Sequence, residues 1–205
     1  MHDQPEGAIP VDGSGGGIAP KVVTQLKPLT VPLSPSHRIK DFVCARSDRI
    51  QRFLYTEALE LIPQNYCRVF VLPNPQDATH IFGYYTLSSA GIQRSEVSTQ
   101  HQKKIPKGLP VPMALIGYMG RNDCTESGIY GALLIRDAAL RVYQNPDIAS
   151  WGIALEPEND KLATWYEEKI YFKRLKTNLR MMYCPLKTLL PELFAPAAAS
   201  AAAGG

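Results

Sequence analysis

The chain has 205 residues, 45% of them hydrophobic, with 22 Lys+Arg against 19 Asp+Glu and a formal net charge of +3. That allows one sizeable domain with a real core, and the mild positive charge does not by itself argue for a nucleic-acid partner. No apolar run approaches the ~20 residues that cross a bilayer, and the start, MHDQPEGAIPVDGSGGG, has neither the basic end nor the apolar centre of a secretory signal.

Residues 1–28 are rich in Gly and Pro, lack periodicity and read as a disordered leader. In "SDRIQRFLYTEALELI", Ser47 is a good helix cap, and Ile50, Phe53, Leu54, Ala58 and Leu61 recur at helical spacing. "CRVFVL" is a short β run. "ATHIFGYYTLSSA" follows the turn residues Pro73, Asn74, Pro75 and Asp77, so the two runs should pair antiparallel. Residues 93–109 are polar, carry Lys103, Lys104 and Lys107, and read as a long loop. "PVPMALIGYM" is an apolar strand and "GRNDCTESG" a turn-rich connection. "YGALLIRDAALRVYQ" is a helix, "SWGIALE" a short strand, "NDKLATWYEEKIYF" another helix and "NLRMMYCPL" a last strand. Residues 195–205, APAAASAAAGG, are a low-complexity tail.

This order gives one α/β (α+β) domain over residues 29–194, a central mixed sheet flanked by helices. The strand–helix–strand units of its C-terminal half imply parallel neighbours. Cys44, Cys67, Cys124 and Cys184 are far apart, and no His stands at ligand spacing from another His or a Cys. The cysteines read as buried small hydrophobes in a reducing, cytoplasmic setting, and no metal site is expected.

The junction "TESGIYGALLIRDAAL" holds the one local signal for a ligand. Gly128 and Gly131 stand where a loop becomes a helix, and unpaired N–H groups at a helix start suit a phosphate. A lone Gly-x-x-Gly is more often an ordinary turn.

Context adds a resemblance. A strand, this loop, a helix and then "ATWYEEKIYF" stand in the order seen in the GNAT family of acetyl-CoA-dependent N-acetyltransferases. "RIKDFVCARSDRIQRFLYTEAL", "IFGYYTLSSAGI" and "LPVPMALIGYMGRND" resemble three further segments of one branch of that family. That branch comprises the toxins of toxin–antitoxin pairs, which acetylate the amino group of aminoacyl-tRNA. The likeness covers roughly residues 30–188. In register with the family's Q/R-x-x-G-x-G/A loop, Gly128 matches; Thr125 replaces the Gln or Arg and Tyr130 the second Gly or Ala, with Gly131 one residue on. Tyr118 stands where the branch has an Arg, and "WYEEKIYF" has one residue more than the family's "FYEKFGF" and no Gly.

The resemblance implies acetyl-CoA as acetyl donor, held by Met119, Gly120, Arg121, Ser127, Gly128, Ile129, Tyr130 and Gly131. Met119 and Gly120 would offer oxyanion donors, and Tyr166 would be the general acid. It implies aminoacyl-tRNA as acceptor and an antitoxin protein as partner, and it allows a homodimer. Two basic runs, Lys103–Lys107 and Lys169–Arg180, would face the RNA. The residues leave two other readings open: acetylation of a protein or small-molecule amine, and a degenerate fold that binds a partner without CoA. Thr125 and Tyr130 favour the last.

Overall fold

The computed structural model describes residues 26–125 and 129–191. Among them, eight strands form one sheet in the order β1-β2-β3-β4-β6-β8-β7, with β5 paired to β3. The strands are β1 (Val31–Pro32), β2 (Arg68–Asn74), β3 (Asp77–Ile92), β4 (Val111–Ile116), β5 (Met119–Arg121), β6 (Gly152–Leu155), β7 (Lys173–Arg174) and β8 (Met182–Pro185). The helices are α1 (Asp48–Thr56), α2 (Ala58–Leu61), α3 (Thr99–Gln102), α4 (Ile129–Tyr143), α5 (Asp160–Ile170) and α6 (Leu186–Leu189). No helix among the described residues is long and apolar enough to cross a membrane.

The two-residue period of the strands sorts the core onto two faces. Phe70, Leu72, Tyr85, Ala114, Ile116, Ile153, Leu155, Met182 and Cys184 pack with α4, α5 and α6. Their neighbours turn the other way. Val69, Val71 and Tyr84 meet α1 and α2, while Met113, Ala154 and Tyr183 lie beneath the segment that carries Val97 and Ile105. α1 starts where expected: the Ser47 hydroxyl accepts from the Ile50 N–H at 3.3 Å, and Phe53 and Leu54 are buried.

Several expectations need correction. The stretch from Ser47 to Ile62 is two helices, broken at Glu57. The segment expected as a bare loop after β3 contains a 3-10 turn, Arg94–Glu96, and the one-turn α3 capped by Ser98, both too short to show a period. β4 and β6 are parallel, as the crossover through α4 requires, but β8 is antiparallel to β6 because the unforeseen β7 reverses the chain first. Cys44, Cys67 and Cys184 are buried, whereas Cys124 is exposed, with Sγ 3.6 Å from His80 Nε2. The leader and tail lie outside the described residues except at 26–28, where the Leu26 carbonyl accepts from the Gln144 side chain.

Residues 29 and 30 are fastened to α4 by a buried polar cluster. Asp137, 5% exposed, accepts from the N–H of Leu29, the N–H and hydroxyl of Thr30 and the Tyr85 hydroxyl. Arg141 donates to the Thr30 carbonyl at 2.7 Å and lies 4.0 Å from the centre of the Phe70 ring. Buried polar groups must be satisfied, and here they satisfy one another across more than a hundred residues of sequence.

Candidate active site

The site begins with one extra residue. Ser88 pairs with Leu115, yet Tyr85 pairs with Met119, so the β4–β5 side has one residue more than β3 between these registers. This is a β-bulge at 117–118, and bulges bend the strand that carries them. Thr86 fits the bulge. Its hydroxyl accepts from the Tyr118 N–H at 3.0 Å, and its own N–H donates to the Tyr118 carbonyl at 2.9 Å. The parallel pairing of β4 with β6 ends at Ile116 and Leu155. Beyond that point β5 stays with β3, while the chain after β6 runs on to α5. A wedge opens between two strands that were neighbours.

The edge of β5 facing the wedge has a definite composition. Thr86 donates to the Tyr118 carbonyl and Asn122 to the Phe82 carbonyl, so residues 118, 120 and 122 spend their backbone groups on β3. By the alternation of an antiparallel ladder, the backbone groups of Met119 and Arg121 point to the opposite edge. Gly120 therefore does not offer its N–H to the wedge. Its glycine character has another cause: a Cβ there would lie 2.4 Å from Ile50 Cγ2 of α1.

The loop after β5 is pinned. The Asn122 side chain donates to the Ile81 carbonyl at 3.0 Å, the Asp123 N–H to Val43 at 2.8 Å, and Ala45 donates to Asp123 Oδ2 at 2.7 Å. Arg121 turns its guanidinium onto this loop, 2.5 Å from the Thr125 carbonyl and 3.3 Å from its hydroxyl. Thr125, where the resembled family has a long polar residue, is 5% exposed and held by that arginine. Ser127 and Gly128, and the side chain of Ile129, lie outside the described residues. α4 already begins at Ile129, one residue before the expected start. Tyr130 lays its ring edge-on to Phe82, 6.2 Å between centroids, so its bulk leans on β3. Gly131 sits inside the first turn of α4, where a Cβ would meet the Trp165 ring of α5 at 3.3 Å. That glycine lets two helices touch.

Tyr166 is on the same face. It lies one residue after Trp165, is 4% exposed and packs in the cluster that also takes in Ile116, Leu155 and Met119. Its ring centre is 5.5 Å from that of Phe172. Burial raises its pKa, so the phenol keeps its proton at any ordinary pH. The wedge, the start of α4 and Tyr166 are thus brought together on the α4–α5 side.

On the other face, charged contacts that the sequence did not reveal frame the wedge. The Ser47 hydroxyl at the head of α1 donates to Glu158, just past β6. Arg180, on the turn between β7 and β8, lies 3.0 Å from Glu156. Ser47 could be read only as a cap, and nothing in its spacing points 111 residues ahead. The basic run 169–180 packs on the segment after β3 at Glu96 and Thr99, short of Lys103–Lys107. Lys176 donates its N–H to the Glu96 carbonyl at 3.0 Å, and its Nζ lies 3.5 Å from Thr99 Oγ1. Arg174, opposite Met182, turns instead to the α5 side, ion-paired to Glu167 at 3.0 Å and to Asp160 at 3.8 Å. Arg49 of α1 stands 4.7 Å from the ring centre of Tyr118, which stacks on Phe53 at 3.8 Å.

No protein-family model matches the chain. Solved structures do. AtaT complexed with acetyl-methionyl-tRNAfMet superposes with a TM-score of 0.71 at 22% identity, over 81% of this chain and 98% of AtaT. A tyrosine-to-phenylalanine mutant of KacT gives 0.67 at 22% identity, over 77% and 92%. AtaTR bound with AcCoA gives 0.66 at 23% identity, over 81% and 97%. At such identities the likeness shows the fold: a single α/β domain with a mixed sheet flanked by helices, as the sequence led one to expect.

Proposed function

We propose that the protein is an N-acetyltransferase that moves acetyl from acetyl-CoA to the amino group of an aminoacyl-tRNA, as the cytoplasmic toxin of a toxin–antitoxin pair. The observation that carries this reading is the wedge between β5 and β6, with the outward backbone edge of Met119 and Arg121 on one side and the protonated Tyr166 beside it. Support comes also from the partners of proteins that share the fold. AtaT was solved with acetyl-methionyl-tRNAfMet and, as a mutant toxin, with the antitoxin AtaR and acetyl-CoA.

Acetyl-CoA supplies an acyl thioester. The Met119 N–H would meet the charge that develops on the carbonyl oxygen, a kind of contact whose loss costs about 2.7–4 kcal/mol in other acyl-transfer enzymes. The amine attacks in its neutral form; the new C–N bond forms as the C–S bond breaks. Tyr166 gives its proton to the departing sulfur, and the acetylated nitrogen then returns a proton to the Tyr166 phenolate, leaving the amide and the CoA thiol. The start of α4 at 129–131, together with Ser127 and Gly128, would receive the pyrophosphate. Tyr130 is compatible with this because its ring leans on Phe82.

A second reading, a partner-binding fold without CoA, is favoured by one observation: Arg121 is spent on Thr125. Two measurements separate the readings. Calorimetry should show acetyl-CoA binding, and labelled acetyl-CoA should transfer label to charged tRNA and not to deacylated tRNA. Absence of binding would make the partner-binding reading correct. Label on a protein or polyamine and not on charged tRNA would leave acetyl transfer standing with a different acceptor.

A further inference from the structure

A second aromatic and basic surface lies at the other end of β6. Trp151 immediately precedes β6, and Leu155 ends it at the wedge, four residues or about 13 Å away at strand spacing. Around Trp151, three elements converge. The His101 and Trp151 rings meet edge-on at 5.3 Å, and Trp151 is tilted against Tyr183 at 6.2 Å. The fully buried Tyr183 fixes the arrangement: its hydroxyl lies 2.9 Å from His101 Nδ1 and accepts from the Ser98 N–H at 2.9 Å.

Lysines border this cluster from each element. Lys104 follows His101 on the α3 segment, its N–H bonded to the His101 carbonyl at 2.9 Å. Lys173 sits opposite Tyr183 in the β7–β8 ladder. Lys187 follows Leu186, whose N–H donates to the Trp151 carbonyl at 3.0 Å. All three are exposed. Trp151 and Lys187 also line an open cavity of about 380 Å³, shared with Val142, Ile148 and Leu186. Burial lowers the His101 pKa, and Lys173, Lys187 and Lys104 lower it further, so the ring is uncharged at neutral pH and the lysines supply the positive charge.

We propose that Trp151, with Lys104, Lys173 and Lys187 around it, is a second RNA contact, in which the ring takes an unstacked base and the lysines take flanking phosphates. The proposal rests on the RNA-acceptor reading above and extends it along β6, from the wedge at Leu155 to Trp151 before its other end. Stacking on an aromatic ring beside cations is how proteins hold single-stranded or splayed nucleotides. Tyr183 and Lys173 stand in register with Ala154, one residue from Leu155, so the surface continues from Trp151 up to the wedge and one strand of RNA can follow both. The cations make the partner polyanionic, and the indole beside them favours bases over an acidic polypeptide.

The test is tRNA binding by the full chain, measured by fluorescence anisotropy at several salt concentrations. It needs no acetyl transfer. The triple variant Lys104→Gln, Lys173→Gln, Lys187→Gln should bind deacylated tRNA at least tenfold more weakly, with the slope of log K against log salt reduced by about 2–3. Trp151→Leu should weaken binding roughly tenfold and leave the salt slope unchanged. Thermal midpoints matching the parent identify folded variants, and the lysine variant carries the test should Trp151→Leu not fold. Parental affinity and slope in the lysine variant would overturn the proposal even if charged tRNA is acetylated. Displacement of tRNA by polyglutamate as readily as by polyuridylate, with Trp151→Leu equal to the parent, would assign the patch to an acidic protein and overturn it too. A parent that binds tRNA through this surface without acetylating it would leave the surface standing and remove the acceptor reading.

Discussion

A phenol can protonate a leaving thiolate only if it still holds its proton when the thiolate forms. Burial keeps Tyr166 protonated beyond the ordinary tyrosine range near 10. Tyr166→Phe removes the proton and keeps the ring that packs on Phe172. Turnover on charged tRNA should fall by roughly 10²–10⁴ while acetyl-CoA affinity, read by calorimetry, stays within a factor of two or so. Equal turnover would make Tyr166 a packing residue. At this scale the sequence was legible for Tyr166, whose place on α5 follows from helical spacing. It misled for Gly120 and Gly131. Both fall at positions expected to hold the ligand through backbone, and both are glycine because a helix presses on them: α1 through Ile50, α5 through Trp165. A sequence shows that a side chain is missing, and only the neighbour explains why.

Among the elements, the long ones were readable and the two-residue ones were not. β3 alternates faces residue by residue, with Tyr84 to α1 and Tyr85 to α4, and its pattern is visible in "FGYYTL". β1 and β7 have two residues each and cannot show a period. The bulge that opens the wedge is invisible as well, because an extra residue shows only against a partner strand. The end of α5 makes a sharper case. The resembled family has a Gly after its tyrosine helix; this chain ends α5 with Tyr171 at φ 64°, left-handed, its N–H and that of Phe172 both reaching the Tyr166 carbonyl. The left-handed C-cap is ordinarily a glycine, and a bulky residue there costs about 1–2 kcal/mol. Tyr171 is 66% exposed and packs little. Tyr171→Gly should therefore raise stability to urea by about 1 kcal/mol and leave the helix intact. A loss of stability would show that the exposed ring makes contacts worth more than the strain.

For the molecule as a whole, three of its ten tyrosines, Tyr84, Tyr85 and Tyr166, have pKa values raised, each chiefly by burial. Below about pH 9 they are protonated whether the chain is folded or not, and they add no pH dependence. Above about pH 10 the unfolded chain sheds these protons and the folded one keeps them, so the unfolded state binds fewer protons and stability falls as pH rises. The decline should reach up to about 4 kcal/mol per pH unit. Thermal melting across that range, with tyrosinate absorbance followed alongside, should show the three ionising in one step with unfolding. Gradual ionisation of all ten in the native protein would contradict it.

The tie between Thr30 and Asp137 bears on how the chain is made. Thr30 leaves the ribosome 107 residues ahead of the carboxylate it binds. At about 5–20 residues per second, roughly 5–20 s pass before its partner is synthesised. In that interval the side chain of Tyr85, translated midway, also lacks its acceptor. The earliest segment of the described chain is thus among the last to find its place. Residues 29 and 30 close over α4 only after the helix beneath them exists, which makes their docking a marker of a chain already complete through Asp137.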